Sequence, residues 1–191
     1  MDLEDGICQI SSTIYNTALF ANLEIVQRSN HQFVTSYVGA GRDATVVYGA
    51  IDFQFKNNRQ YPIKIICNVK SGIAEVQMYG VKEETEYFVE IDTKITGTIS
   101  YTTRYEENPD LDQGVERVVQ KGASGYTSTT YKILKLNGVE VSRTLLSNDT
   151  YSAMQRIISR GTKGEKVVET PPSEPVDPPA TLPPDTRNTT N

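Results

Sequence analysis

The spacing of apolar residues changes once along this chain, near residue 22, and that change constrains the fold more than any other feature. Over residues 6–21 (GICQISSTIYNTALFA), Ile7, Ile10, Ser11, Ile14, Ala18 and Ala21 recur at three- and four-residue intervals. That spacing predicts a helix with one small, apolar face. Cys8, Ser12, Tyr15 and Leu19 fall on the neighbouring stripe, and Gly6 stands just before the helix. Beyond it the interval becomes two. VTSYV (34–38), TVVYGAIDFQF (45–55), PIKIICNVK (62–70) and IAEVQMYGV (73–81) alternate or run apolar, which predicts strands, with turns at Asn57-Asn58 and Ser71-Gly72. In the third run Ile63, Ile65, Cys67 and Val69 share a face, which assigns Cys67 to the core.

These runs predict an α+β N-terminal module over residues 1–82, one helix followed by a β-meander. A second, elongated and mainly-β module is predicted over residues 83–166. There FVEIDTKITGTISYTTRYEE alternates strongly, and TSTTYKILKLNGVEVSRTLLS reads as a hairpin closed at Asn137-Gly138. Large apolar side chains are too few for a thick core. Seven of the nine prolines fall in residues 167–191, so this tail is expected to stay extended and disordered, as a linker or spacer.

The formal charge of −5 and pI near 5, with both signs mixed along the chain, exclude the basic face that a nucleic-acid partner requires. No apolar run approaches the ~20 residues of a transmembrane helix, and the acidic start Met1–Asp5 lacks the basic region of a signal peptide. One histidine and two separated cysteines do not give metal-ligand spacing. No nucleotide loop or serine-hydrolase elbow is present, so neither metal nor cofactor is called for.

The chemistry concentrates at Cys8. A cysteine in the first turn of a helix meets free backbone N–H groups and the positive end of the helix dipole, both of which favour the thiolate. The amides after it are placed to donate to an oxyanion. His31 is the only histidine in the chain, so any imidazole base is this residue. Arg42 and Asp43, in the glycine-bounded loop GAGRD, offer a carboxylate anchor and a charge partner. The bland reading makes Cys8 a small buried hydrophobe and His31 an ordinary hydrogen-bonding residue.

GICQISSTIYNTALFANLEIVQRSNH and SYVGAGRDATVVYGAIDFQFKNNRQYPIKI together resemble the C-terminal part of the VanW family, continuously from residue 6 to about residue 80. A domain of that family ordinarily extends well upstream of this motif, so the expectation is an N-terminally truncated VanW-like domain. In the family a run of glycines precedes Ile-Cys-Gln, where this chain has Glu4-Asp5-Gly6. The second half resembles the five-glycine (G5) domain, through Gly114, Gly122, Gly125, Gly138 and Gly161, each expected at a turn where positive φ is useful.

The resemblance implies a bacterial, extracellular or cell-wall-associated protein, with peptidoglycan stem peptides and N-acetylglucosamine-containing glycan as partners. Some VanW-family members act as cysteine L,D-transpeptidases. Carried over, Cys8 attacks a stem-peptide carbonyl, His31 moves the protons, and Gln9, Ser12, Arg42 and Asp43 bind substrate. Two function classes therefore stand side by side. One is a peptidoglycan transpeptidase or a fragment of one; the other is a non-catalytic glycan-binding surface protein or an accessory to glycopeptide (vancomycin) resistance.

Overall fold

The computed structural model describes residues 3–164; the Pro-rich tail at 167–191 lies outside the described residues. Helix α1 (Leu3–Phe20) is followed by β1 (Glu24–Gln27), β2 (Gln54–Lys56), β3 (Lys64–Lys70) and β4 (Ile73–Tyr79). The second module contains β5 (Phe88–Ile99), β6 (Thr103–Asp112), β7 (Glu116–Gln120), β8 (Gly125–Leu136), β9 (Val139–Tyr151) and β10 (Arg156–Lys163). One helix followed by strands is therefore the architecture. None of the described helices is long and apolar enough to cross a membrane.

Helix α1 ends where Asn22 takes a left-handed conformation (φ 55°). The Asn22 amide donates to Leu19 O at 3.0 Å and the Leu23 amide to Ala18 O at 2.9 Å, the two bonds of a Schellman cap. The buried stripe of α1 is Cys8, Ser11, Ser12, Tyr15, Ala18 and Leu19 rather than the isoleucine stripe; Ile7 is half exposed. Hydrogen bonding decides this. Ser12 Oγ accepts from the Ala44 amide at 2.9 Å, and Ser11 Oγ donates to Ala44 O at 2.5 Å. Small hydroxyl side chains let residue 44 approach the helix closely.

Two of the expected strands are absent. Residues 34–38 form no strand, and the run at 45–55 is broken by a tight turn in which the Val47 and Ile51 backbones bond to each other at 2.9 Å across Gly49 (φ 73°). Only Gln54–Lys56 pairs, with β1. The long segment between β1 and β2 satisfies its backbone partly through local and scattered backbone bonds, such as Thr45 N to Ser29 O at 2.8 Å, and partly through side chains, without a ladder. The His31 amide donates to Asp43, the Gly41 amide to Tyr151 and the Ala44 amide to Ser12. β3 and β4 pair in register as an isolated two-stranded hairpin, turned at Ser71-Gly72. Cys67 is exposed, which corrects its assignment to the core: no further strand among the described residues covers its face of β3.

The second module has two three-stranded sheets, β5-β8-β9 and β6-β10-β7, with β10 parallel to β6 and antiparallel to β7. The β8–β9 hairpin turns at Asn137 (φ 51°) and Gly138 (φ 82°), as its Asn-Gly dipeptide predicts. Its fully buried apolar residues are few: Val89, Ile133, Tyr151 and Ile158.

Of the five signature glycines, only Gly114 (φ 86°) and Gly138 use positive φ. The other three correct the turn expectation, because each lacks a side chain to permit a close approach. A Cβ at Gly122 would stand 2.3 Å from the Tyr101 ring, at Gly125 2.1 Å from Tyr151 O, and at Gly161 2.1 Å from Asp112 O. Gly125 opens β8 and Gly161 lies inside β10.

The two modules share a core. Tyr15, Leu19 and Ala44 pack with Ile25 and Phe53 from the first module and with Ile91 and Leu146 from the second.

Candidate active site

Because α1 begins at Leu3, Cys8 stands in its second turn, not its first. The amides that follow it lie within the helix's own hydrogen-bond ladder, so they are not free to hold an oxyanion. Gly6 is inside the helix, where a Cβ would meet nothing within 4 Å. Cys8 is 8% exposed, and its thiol donates to Val46 O at 3.6 Å.

His31 lies beyond the end of β1. Its Nδ1 is 2.7 Å from Asp43 Oδ2, and its backbone amide donates to the same oxygen at 2.7 Å. Its Nε2 meets the Tyr37 hydroxyl at 3.2 Å. Asp43 is completely buried. Burial alone would raise its pKa. Hydrogen bonds from the His31 ring, the Tyr151 hydroxyl and the His31 amide, with the Arg28 charge beside it, reverse this and hold the carboxyl at about 2. An ionised carboxylate only accepts, so Nδ1 carries a proton, and in the neutral form of the ring Nε2 is the acceptor.

Asp43 is itself held by groups from distant sequence. Arg28 Nη2 donates to Asp43 Oδ1 at 2.7 Å and Arg28 Nε to its carbonyl at 2.6 Å, while Nη1 reaches Asp149 Oδ1 at 2.5 Å. The Tyr151 hydroxyl donates to Asp43 Oδ1 at 2.5 Å and accepts from the Gly41 amide at 2.9 Å. Burial and the neighbouring carboxylate both push the Tyr151 pKa up, so the hydroxyl stays a donor. Arg28, Asp149 and Tyr151 escaped the sequence reading. Arg28 sits between two short runs, and the other two lie more than a hundred residues further on; a single sequence carries no signal of that pairing.

Three of the predicted site residues come together. Cys8, Gln9 and His31 line one open cavity of about 540 Å³, walled by residues 32–37. Ser12 is buried against Ala44 and cannot reach a substrate. Asp43 is a buried support behind His31, not a substrate ligand, because all its bonds are internal. Arg42 is turned away: its Nε donates to Asn16 Oδ1 at 2.6 Å, and its guanidinium lies 5.1 Å from the Phe20 ring centre. Among the described residues no three His, Cys, Asp or Glu side chains gather where they could hold a metal ion.

Comparison with known proteins matches the chain in two segments. The family described as VanW like protein matches residues 1–79, and the G5 domain matches residues 90–163. The YoaR protein of Bacillus subtilis is 45% identical over 74 residues, which cover 39% of this chain and 24% of that protein. An immunoglobulin A1 protease of Streptococcus sanguinis is 36% identical over 85 residues, 44% of this chain and 4% of the protease. The resuscitation-promoting factor Rpf2 of Corynebacterium glutamicum is 36% identical over 75 residues, 38% of this chain and 20% of that protein. The chain thus spans at most about a quarter of the length of these relatives. Among solved structures, the G5 domain of an IgA1 protease is 34% identical, covering 44% of this chain and 99% of that one at a TM-score of 0.30. The chain therefore joins a segment that matches the VanW like protein family, residues 1–79, to one that matches the G5 domain, residues 90–163.

Proposed function

We propose that this is a cell-wall-associated, extracellular bacterial protein whose VanW-like part performs cysteine-dependent acyl transfer on peptidoglycan stem peptides. In this reading the G5 domain holds N-acetylglucosamine-containing glycan. One observation carries it: Cys8 and the only histidine line the same open cavity, and that histidine is backed by a buried, ionised carboxylate. A cysteine, an imidazole and an orienting acid are the parts a nucleophilic acyl transfer needs.

The chemistry follows from the tautomer. His31 Nε2 exchanges the Tyr37 hydroxyl for the Cys8 thiol and takes its proton. The sulfur attacks the carbonyl of the donor stem, the C–N bond to the terminal residue breaks, and the departing amine takes the proton from His31. The thioester is then attacked by the side-chain amine of an acceptor stem: the new C–N bond forms the cross-link, the C–S bond breaks, and the amine's proton passes through His31 to the departing sulfur, restoring the thiol. Gln9, beside Cys8 on the cavity wall, is the side chain placed to bond a substrate amide.

Iodoacetamide labelling of the full chain in a Cys67→Ala background tests this. At pH 7 the labelling of Cys8 should slow at least tenfold in His31→Ala, and purified disaccharide-tetrapeptide should be cross-linked by the parent but not by Cys8→Ala. A Cys8 that labels at the same rate with and without His31, and no cross-linking, would leave the non-catalytic glycan-binding reading in its place.

A further inference from the structure

His31 itself bonds Asp43 and Tyr37 of its own module, but the residues on either side of it are anchored to the far one. The Asn30 side-chain amide donates to Thr150 O at 2.9 Å, and the Ser152 amide donates to Gln32 O at 2.7 Å. Both sequence neighbours of His31 are therefore tied to the end of β9 and the residue after it. Between those two anchors in the strand stands Tyr151, 1% exposed, with its ring 4.9 Å from that of Tyr126.

The Tyr151 hydroxyl is fully committed. The Gly41 amide can only donate to it, so its own proton goes to Asp43 Oδ1, while Asp43 Oδ2 faces His31. Oδ1 thus joins Tyr151 of the far module and Arg28 of the near one, while Oδ2 serves His31 alone. Two glycines make room for this arrangement. A Cβ at Gly41 (φ 72°) would stand 1.8 Å from Thr130 Oγ1 of β8, so the loop carrying Asp43 seats against the sheet only without a side chain there. Gly125 lies against the Tyr151 carbonyl in the same way.

We infer that Tyr151 of the G5 domain is a positioning residue for the cysteine–histidine site, acting on His31 through Asp43, and that the site is complete only with both modules in place. The inference rests on the acyl-transfer reading for its functional meaning, but the placing of His31 is separately observable. Removing the hydroxyl leaves Asp43 Oδ1 with Arg28 alone, which lets the carboxylate turn and loosens its grip on Nδ1, so both ring tautomers become populated.

Because His31 is the sole histidine, its ring nitrogens give one set of signals in a two-bond proton–nitrogen NMR spectrum of the full chain. The parent should show the Nδ1–H tautomer, and Tyr151→Phe a mixture, with Cys8 labelling about tenfold slower. Tyr126→Phe, which removes a hydroxyl from the neighbouring ring, should change neither. Unchanged signals and labelling in Tyr151→Phe overturn the inference. If Tyr151→Phe moves the His31 signals but His31→Ala leaves Cys8 labelling untouched, the acyl-transfer reading falls and the placing of His31 stands. Should Tyr151→Phe fail to fold, the parent alone decides: a slowly exchanging Tyr151 hydroxyl proton close to the Gly41 amide supports the arrangement, and a freely exchanging one overturns it.

Discussion

The glycines show how one missing atom sets the cost of substitution. At Gly161 an added Cβ collides with the Asp112 carbonyl, a backbone atom held in the β6–β10 pairing, so neither side can yield cheaply. Gly161→Ala should lower stability by roughly 2–3 kcal/mol through overpacking, measured by urea unfolding. Gly6 is the opposite case, inside α1 with open space around it. Gly6→Ala should raise stability by about 0.5–1 kcal/mol. If Gly6 instead leaves room for substrate, the same variant will lose cross-linking while gaining stability. Both glycines look alike in the sequence, and five glycines in the second module suggested turns. The collision at Gly161 depends on a carbonyl some fifty residues away, which no local pattern encodes.

At the scale of elements, what was legible follows from which forces formed each one. α1 and the β8–β9 hairpin were readable because local spacing and an Asn-Gly turn determine them. The cap of α1 is equally local but was not read from the sequence: Asn22 at φ 55° takes a conformation that alanine resists. Asn22→Ala should cost about 1 kcal/mol, whereas Asn22→Gly should be close to neutral, losing only the 3.1 Å bond from Lys132 Nζ. Thermal unfolding of the pair separates the backbone effect from the side-chain bond. The segment between β1 and β2 was not readable, because it forms no ladder and some of its amides are held by side chains of α1 and β9. Within that segment His31 could be singled out as the only histidine, and Asp43 by its glycine-bounded loop, although its task is to hold His31 rather than substrate. Asp149 and Tyr151 reach the site only through β9, where Arg28 and Asp43 meet them.

For the molecule as a whole, the buried cluster of Arg28, Asp43 and Asp149 links the halves through charge as well as packing. Asp43 titrates near pH 2 in the folded chain against about 3.9 for a free side chain, so the folded state binds its proton less readily than the unfolded one. The resulting stabilisation is complete above about pH 5 and is lost as pH falls through 4 towards 2, amounting to about 2 kcal/mol. Urea unfolding at pH 7 and at pH 3 should show a smaller loss for Asp43→Asn than for the parent. Equal losses would mean that other carboxylates control the acid limit.

The seat of Gly41 against Thr130 also bears on how such chains are assembled in evolution and in the laboratory. A segment that matches a separate domain model could be taken for a bead exchangeable along a string. Here the exchangeable unit is not the bead. A donor domain with a bulkier residue at position 130, or phenylalanine at 151, would strand Gly41 and Asp43 on the recipient side. Chimeras of this chain should therefore be cut so that residues 28–43 travel with residues 125–152, and natural recombinants that join them differently will carry matched changes on both sides of the join.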